Sequence, residues 1–99
     1  MSFSTQELPY LTLWKNTAAR ENGYVTGIEP ATNYPNNRSF ERKNGRVPVL
    51  KGGQSFHATI TITAHVDSKS VSAAQSRVAS LQGGSAPKLD AEPVPGLSP

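Results

Sequence analysis

Apolar and polar side chains alternate without interruption from Phe56 to Val66. Six apolar residues fall on one face of this stretch, and three threonines and two histidines fall on the other. A period of two residues is the pattern of a β-strand that packs one face on a core. The sequence therefore predicts an eleven-residue strand here, with Phe56, Ile60, Ile62 and Val66 among the most buried residues.

Three shorter strands are predicted earlier in the chain. Tyr10 to Trp14 alternates, with its two leucines on one face. Tyr24 to Glu29 is rich in β-branched and aromatic residues, and we expect this strand to end at Glu29 because Pro30 lacks an N–H. Arg46 to Leu50 also alternates, and Pro48 restricts it to the edge of a sheet or a bulge.

The periodicity changes to that of a helix near the C-terminus. Apolar residues recur three and four positions apart from Val71 to Leu81, which predicts one short amphipathic helix ending at Gly83-Gly84. Ser85 to Pro99 contains four prolines and few apolar residues. We therefore expect an all-β, antiparallel domain over residues 1–82 with one short C-terminal helix, and a disordered tail over residues 83–99.

Composition and charge exclude several classes of protein. The formal net charge is +3, and the basic residues are scattered, with only Arg42 and Lys43 adjacent, so nucleic-acid binding is not expected. There is no cysteine, which excludes a disulfide framework and a cysteine-based zinc site. No segment approaches the ~20 apolar residues of a membrane span. A soluble, cytoplasmic protein that uses neither membrane nor metal is expected.

One carboxylate stands between an apolar strand and a polar loop. Glu29 ends the strand that begins at Tyr24, and the loop from Asn33 to Arg38 is dense in amide groups and ends in a guanidinium. A carboxylate held beside such groups has the placement that a general base needs, and the amides suit a polyhydroxylated ligand. The alternative is structural, since Glu29 could accept hydrogen bonds from the turn or pair with Arg38.

The residues around Glu29 resemble a known superfamily. G-Y-V-T-G-I-E-P-A-T-N-Y-P-N is similar to the motif of the aldose 1-epimerase (galactose mutarotase-like) superfamily, and in particular of its DUF4432 branch. Trp14 to Ala18, Gly45 to Val47 and the strand after Gly52-Gly53 occur in the expected order, so the resemblance covers Leu8 to Gln82. It implies an antiparallel β-sandwich more than twice this length, of which the chain would be a C-terminal fragment.

The resemblance also implies a mechanism without cofactor or metal. Glu29 would remove the proton of the anomeric hydroxyl, and a histidine earlier in the superfamily's chains would act as the acid. This chain would begin after that histidine, and would need the missing N-terminal half or a partner chain. The loops after Trp14 and Glu29 are expected to bind the sugar, with Trp14 as a platform or as a packed aromatic. The expected substrate-binding residues are Asn33, Arg38, Asn37, Lys15, Asn16 and Trp14.

Two functional classes follow from these residues. The first is an isomerase of aldose 1-epimerase type, or a fragment of one, with an aldose or sugar derivative as its ligand and Glu29 as its base. The second is a non-catalytic carbohydrate-binding or interaction module on the same fold, or an inactive remnant of it. With a base and no matched acid, we expect the isolated chain to bind aldoses weakly and to interconvert anomers little faster than buffer.

Overall fold

Four short strands and two helices make up the regular structure. The computed structural model describes all of residues 1–99. The elements are β1 (Ser2–Phe3), β2 (Tyr10–Lys15), β3 (Thr26–Ala31), α1 (Arg38–Lys43), β4 (Ile60–Thr61) and α2 (Ser68–Gln82), with a 3₁₀ turn at Arg20–Asn22. The strands form two antiparallel pairs, β1 with β4 and β2 with β3. Most of the regular elements are thus strands in small antiparallel sheets, which is compatible with an all-β fold.

The β2–β3 pair, which we call the ribbon, has two distinct faces. In its register Tyr10 lies opposite Ala31, Thr12 opposite Glu29, and Trp14 opposite Gly27. Because opposed residues and every second residue of a strand share a face, these six residues form the polar face of the ribbon. The apolar face carries Leu11, Leu13, Lys15, Thr26, Ile28 and Pro30. The predicted strand from Tyr10 to Trp14 and the placement of its two leucines are confirmed.

The second strand of the ribbon is displaced from its predicted bounds. It begins at Thr26 rather than Tyr24, and it continues through Pro30, opposite Leu11, to Ala31. The expected end at Glu29 was therefore wrong. A proline is tolerated because β3 has a neighbour on one side only, and an edge strand accommodates a residue without an N–H.

The loop that joins β2 to β3 is held by Asn16. Its backbone N–H donates to the Val25 carbonyl at 3.3 Å, and its side-chain Nδ2 donates to the Gly23 carbonyl at 3.3 Å. Its Oδ1 accepts from the Ala18 N–H at 2.8 Å. Gly23 has a φ of 85°, a conformation that favours glycine. These contacts fix the turn that sets the register of the ribbon.

The predicted strand from Phe56 to Val66 is wrong in length. Only Ile60 and Thr61 are paired, opposite Phe3 and Ser2. A strand needs a hydrogen-bonded neighbour, and β1 offers only two residues. One further contact joins the two segments, since the Thr59 N–H donates to Glu7 Oε2 at 3.0 Å.

The apolar residues of this stretch do not form a core. Phe56 and Ile60 are about half exposed, Ile62 is 79% exposed and Val66 is 94% exposed, so the prediction that they are buried was wrong. The buried apolar residue of the chain is Leu8. The accessible surface is 8488 Å², against about 5,500 Å² for a compact folded chain of this mass. The chain therefore leaves most of its large apolar residues exposed to solvent.

The segment from Arg38 to Leu50 differs most from the sequence-based expectation. Residues 38–43 form α1, which was not predicted, and Arg46 to Leu50 is not a strand. The Arg46 N–H donates to the Glu41 carbonyl at 2.9 Å, which continues the helix into a turn. Pro48 has no N–H to donate to a ladder. The chain after α1 therefore folds back on the helix rather than pairing with a strand.

The C-terminal helix is confirmed. α2 spans Ser68–Gln82, with Asp67 Oδ1 accepting from the Ser70 N–H at 2.8 Å as its N-cap. It ends at Gly83, whose φ of 66° is the left-handed conformation that commonly terminates helices. Neither α1 nor α2 combines the length and the apolar composition that crossing a bilayer requires.

Candidate functional site

The carboxylate of Glu29 lies on the open polar face of the ribbon. Glu29 is exposed, and it takes part in neither of the two ion pairs of the structure. Its Oε1 lies 2.9 Å from the position that a Cβ on Gly27 would occupy. The carboxylate thus rests directly over a residue without a side chain. Its oxygens have no partner within the chain and are free to accept hydrogen bonds from a ligand.

Trp14 flanks the same glycine from the neighbouring strand. Its Cβ lies 3.4 Å from the virtual Cβ of Gly27, and its carbonyl accepts a hydrogen bond from the Thr26 hydroxyl. Trp14 is 52% exposed. A half-open indole presents an apolar surface together with an N–H donor. Trp14 and Glu29 therefore lie on either side of Gly27 on one accessible face.

Two other predicted site residues lie elsewhere. Lys15 pairs with Thr26 at the end of the ribbon and belongs to its apolar face by alternation. The amide of Asn16 is engaged with Gly23 and Ala18 in the loop. The structure therefore does not bring Lys15 and Asn16 to the side of the ribbon that holds Glu29.

A cleft of about 410 Å³ opens between α1 and the segments on either side of it. Asn33 and Arg38 contribute to its lining, whereas Glu29 and Trp14 do not, so the structure does not bring these residues into one cleft with Glu29 as expected. Arg38 forms no ion pair. The lining residues are Thr32, Asn33, Asn36, Arg38, Glu41, Val47, Pro48, Leu50 and Phe56.

Asn37 is the N-cap of α1. Its Oδ1 accepts from the Phe40 N–H at 2.9 Å and from the Ser39 hydroxyl at 2.7 Å. Both contacts satisfy groups at the start of the helix, where backbone N–H groups have no intrahelical acceptor. Asn37, expected to bind substrate, therefore has a structural role in α1.

Asn37→Ala should reduce stability rather than ligand binding. Loss of an N-cap side chain costs about 1 kcal/mol, so we expect a fall of that size in the free energy of unfolding measured in urea. Asn22→Ala, in the exposed 3₁₀ turn, is the matched control and should leave the unfolding midpoint unchanged. An Asn37→Ala protein with unaltered stability and weakened sugar binding would instead restore Asn37 to the binding surface.

A buried ion pair joins Glu41 to Arg46, and the sequence analysis did not predict it. Glu41 is fully buried. Its Oε1 accepts from Asn36 Nδ2 at 2.8 Å and Arg46 Nη2 at 2.8 Å. Its Oε2 accepts from the Tyr34 N–H at 3.1 Å and Arg46 Nε at 2.7 Å. The parallel pair of bonds to Arg46 is the bidentate arrangement that guanidinium and carboxylate groups favour.

These contacts set the ionisation of Glu41. The hydrogen bonds from the Arg46 guanidinium, assisted by those from Asn36 and the Tyr34 backbone, lower the pKa of Glu41 from its ordinary value of 4.5 to about 2, against the opposing effect of burial. The same hydrogen bonding raises the pKa of Arg46. With both oxygens saturated, this carboxylate is suited to holding structure and not to taking up a proton from a substrate.

Aromatic rings join this pair to the ribbon. The ring centroids of Tyr10 and Tyr34 lie 4.6 Å apart. The Arg46 guanidinium carbon lies 5.3 Å from the centre of the Tyr34 ring and 5.7 Å from that of Phe40, within the range of cation–π attraction. Because Tyr10 shares the polar face of the ribbon with Glu29, the stack connects that face with the loop that lines the cleft.

The fold and site define a small β-rich protein with a free carboxylate on an open ribbon and a polar cleft beside a short helix. No three side chains of His, Cys, Asp or Glu are grouped so that they could hold a metal ion. The chain belongs to the family DUF4432, a domain of unknown function, whose profile matches residues 1–64. The matched region includes Glu29 and both members of the buried pair. No curated protein and no solved structure matches the chain.

Proposed function

We propose that this chain binds an aldose against the polar face of the ribbon, and that Glu29 acts as the general base at the anomeric hydroxyl. This is the chemistry of aldose 1-epimerases, the superfamily that the Glu29 motif resembles. The observation that carries the proposal is the position of the Glu29 carboxylate, exposed and without a partner, over Gly27. A general base must reach the proton that it removes, and this carboxylate is open to an approaching hydroxyl.

Trp14 supports the proposal from the opposite side of Gly27. The apolar C–H groups of a sugar ring can lie against the exposed indole while its hydroxyls point outward to polar groups. Thr12, directly opposite Glu29 in the register, adds a hydroxyl on the same face. The apolar surface of Trp14 beside the carboxylate of Glu29 would orient a sugar ring so that one of its hydroxyls faces the base.

Gly27→Ala tests the packing of this site. The new methyl group would meet Glu29 Oε1 at 2.9 Å, so the carboxylate must move from its present position. We expect affinity for aldoses to fall about tenfold, since about 1.4 kcal/mol of lost binding corresponds to a factor of ten. Titration followed by Trp14 fluorescence measures the change.

The matched control for that substitution is Gly52→Ala. Gly52 has open space around it and no positive φ, so its alanine variant should bind aldoses as the parent does. Equal affinity of the Gly27→Ala and Gly52→Ala proteins would show that the sugar does not depend on the position of Glu29.

The proposed function is tested by binding and by anomer exchange on the same samples. Saturation-transfer NMR with a panel of neutral aldoses should show contact with the protein that Trp14→Leu weakens. Exchange should be slow in phosphate-free, weakly acidic buffer and should accelerate when imidazolium supplies the missing acid. Rapid exchange by a Glu29→Gln variant, or no saturation transfer to any aldose, would reject the proposal.

The second candidate is carbohydrate binding without turnover. His57 and His65 lie in the segment around β4, and neither lies on the ribbon strands. His65 lines a cavity against α2. This placement favours a binding module, because proton transfer at the ring oxygen requires an acid within reach at the same time as the base. Binding that persists without imidazolium-dependent exchange would select this candidate.

A further inference from the structure

We propose that the cleft beside α1 is an anion subsite in which Arg38 binds the phosphate or carboxylate group of a charged sugar. That the remainder of the ligand is a sugar rests on the function proposed above, whereas anion binding by Arg38 is measured independently of it. The two groups share the chemistry that matters here, a planar or tetrahedral anion that accepts several hydrogen bonds from one guanidinium.

Among the charged residues that line the cleft, only Arg38 has unused hydrogen-bonding capacity, and that capacity is for donation. Glu41, the carboxylate in the lining, accepts four hydrogen bonds and is neutralised by Arg46. Asn36 Nδ2 donates to both Glu41 Oε1 and the Leu97 carbonyl. Arg38 donates to no group of the chain, so its five N–H donors remain for a ligand.

The electrostatics of the surrounding helix act in the same direction. Besides Arg38, α1 carries Arg42 and Lys43, and neither forms an ion pair. Since the charges of Glu41 and Arg46 cancel, the helix presents three uncompensated positive charges near the cleft. Such a field raises the local concentration of anions and increases their rate of association.

The dimensions suit one small ligand. A volume of about 410 Å³ lies within the range of small-molecule sites. Val47, Leu50 and Phe56 add apolar groups to its lining. Thr32, in the lining, is three residues from Glu29, a span of at most about 10 Å of extended chain. The wall of the cleft at Thr32 therefore lies within about 10 Å of the proposed base along the chain.

The test compares four probes on the full chain at low ionic strength: glucose, glucose 6-phosphate, glucuronate and inorganic phosphate, each titrated by NMR. We expect glucose 6-phosphate or glucuronate to bind about tenfold more tightly than glucose, because hydrogen bonds to a charged group contribute about 1.5 kcal/mol or more. The better of the two charged sugars identifies the anion. Inorganic phosphate should shift the signals of Arg38 and Asn33 without sugar.

Arg38→Gln should abolish the preference for charged sugars, and Arg38→Lys should retain part of it, because a lysine keeps the charge but loses the planar fork. Arg42→Gln is the matched control: it removes the same charge from the same helix but outside the cleft. Equal affinity for glucose and for both charged sugars would overturn the subsite. Equal losses of affinity for charged sugars in the Arg38→Gln and Arg42→Gln proteins would also overturn it, because the preference would then depend only on the net positive charge of the helix.

The outcome is separable from that of the proposed function. Glu29→Gln should leave phosphate binding at Arg38 unchanged. If charged sugars bind through Arg38 and no anomer exchange occurs, the subsite stands and the catalytic proposal fails. If exchange depends on Glu29 but glucose and glucose 6-phosphate bind equally, the base stands and the subsite fails.

Discussion

Glu29→Gln is expected to lower protein-catalysed anomer exchange in imidazolium buffer by about 10²-fold or more, because a positioned general base typically contributes a factor of that size. Glutamine preserves the shape of the side chain and its place over Gly27, but its amide cannot take up the hydroxyl proton. The measurement is two-dimensional exchange NMR or polarimetry on an aldose that saturation transfer has shown to bind. Binding itself should change little.

An exposed carboxylate outside the paired strands of the ribbon provides the control for this experiment. Glu21, in the 3₁₀ turn of the ribbon loop, is exposed. The Glu21→Gln protein should catalyse anomer exchange at the same rate as the parent. If both glutamine variants exchange anomers as fast as the parent, the imidazolium buffer alone accounts for the rate and Glu29 has no role in it.

We expect acid to destabilise the folded chain between about pH 4.5 and pH 2 through protonation of Glu41. The pKa of its carboxyl is about 2 in the folded chain and 4.5 when unperturbed. A group with a depressed folded pKa contributes stability that is fully present above the unperturbed value and is lost as the pH falls toward the folded one. Thermal unfolding followed at several pH values should therefore give a falling midpoint over this interval.

Glu41→Gln should remove most of that pH dependence and lower the midpoint at neutral pH by roughly 10 °C or more, since breaking a buried pair strands its partner. Arg46 would then lie among aromatic rings without its counter-charge. Glu92→Gln, an exposed carboxylate of the C-terminal segment, should keep the acid transition of the parent. An acid transition that survives in the Glu41→Gln protein would assign it to another carboxylate.

The elements that could be predicted from the sequence are those whose hydrogen bonds are local. The ribbon strand from Tyr10 was predictable because alternation and a neighbouring turn suffice to specify a hairpin. α2 was predictable because Asp67 and Gly83 cap a stretch of helical periodicity. Alternation from Phe56 to Val66 was an equally strong signal, and it failed because a strand also requires a partner, which here is only two residues long.

The buried pair could not be predicted from residue types alone. Lys, Arg and Glu side chains are mostly exposed in proteins, so the run of charged residues around Glu41 indicates a solvated surface. Burial became favourable through partners that precede the helix, Tyr34 and Asn36, and one that follows it, Arg46. One signal for α1 was present in the sequence. Asn37 is a residue type that favours the N-cap position, and its side chain accepts from the N–H of Phe40, three residues later, as an N-cap does.

The hydrogen bond from Asn36 to the Leu97 carbonyl has a consequence for the order in which the chain folds. It joins residues 61 positions apart, whereas the ribbon and α1 close over short separations. Contacts that require long loops to close form late, because the entropy of closure is lost before the contact is gained. We therefore expect the ribbon and α1 to form early in folding, and the Asn36–Leu97 contact to form late, as does the β1–β4 pair, whose partners Ser2 and Thr61 are almost as far apart in the sequence.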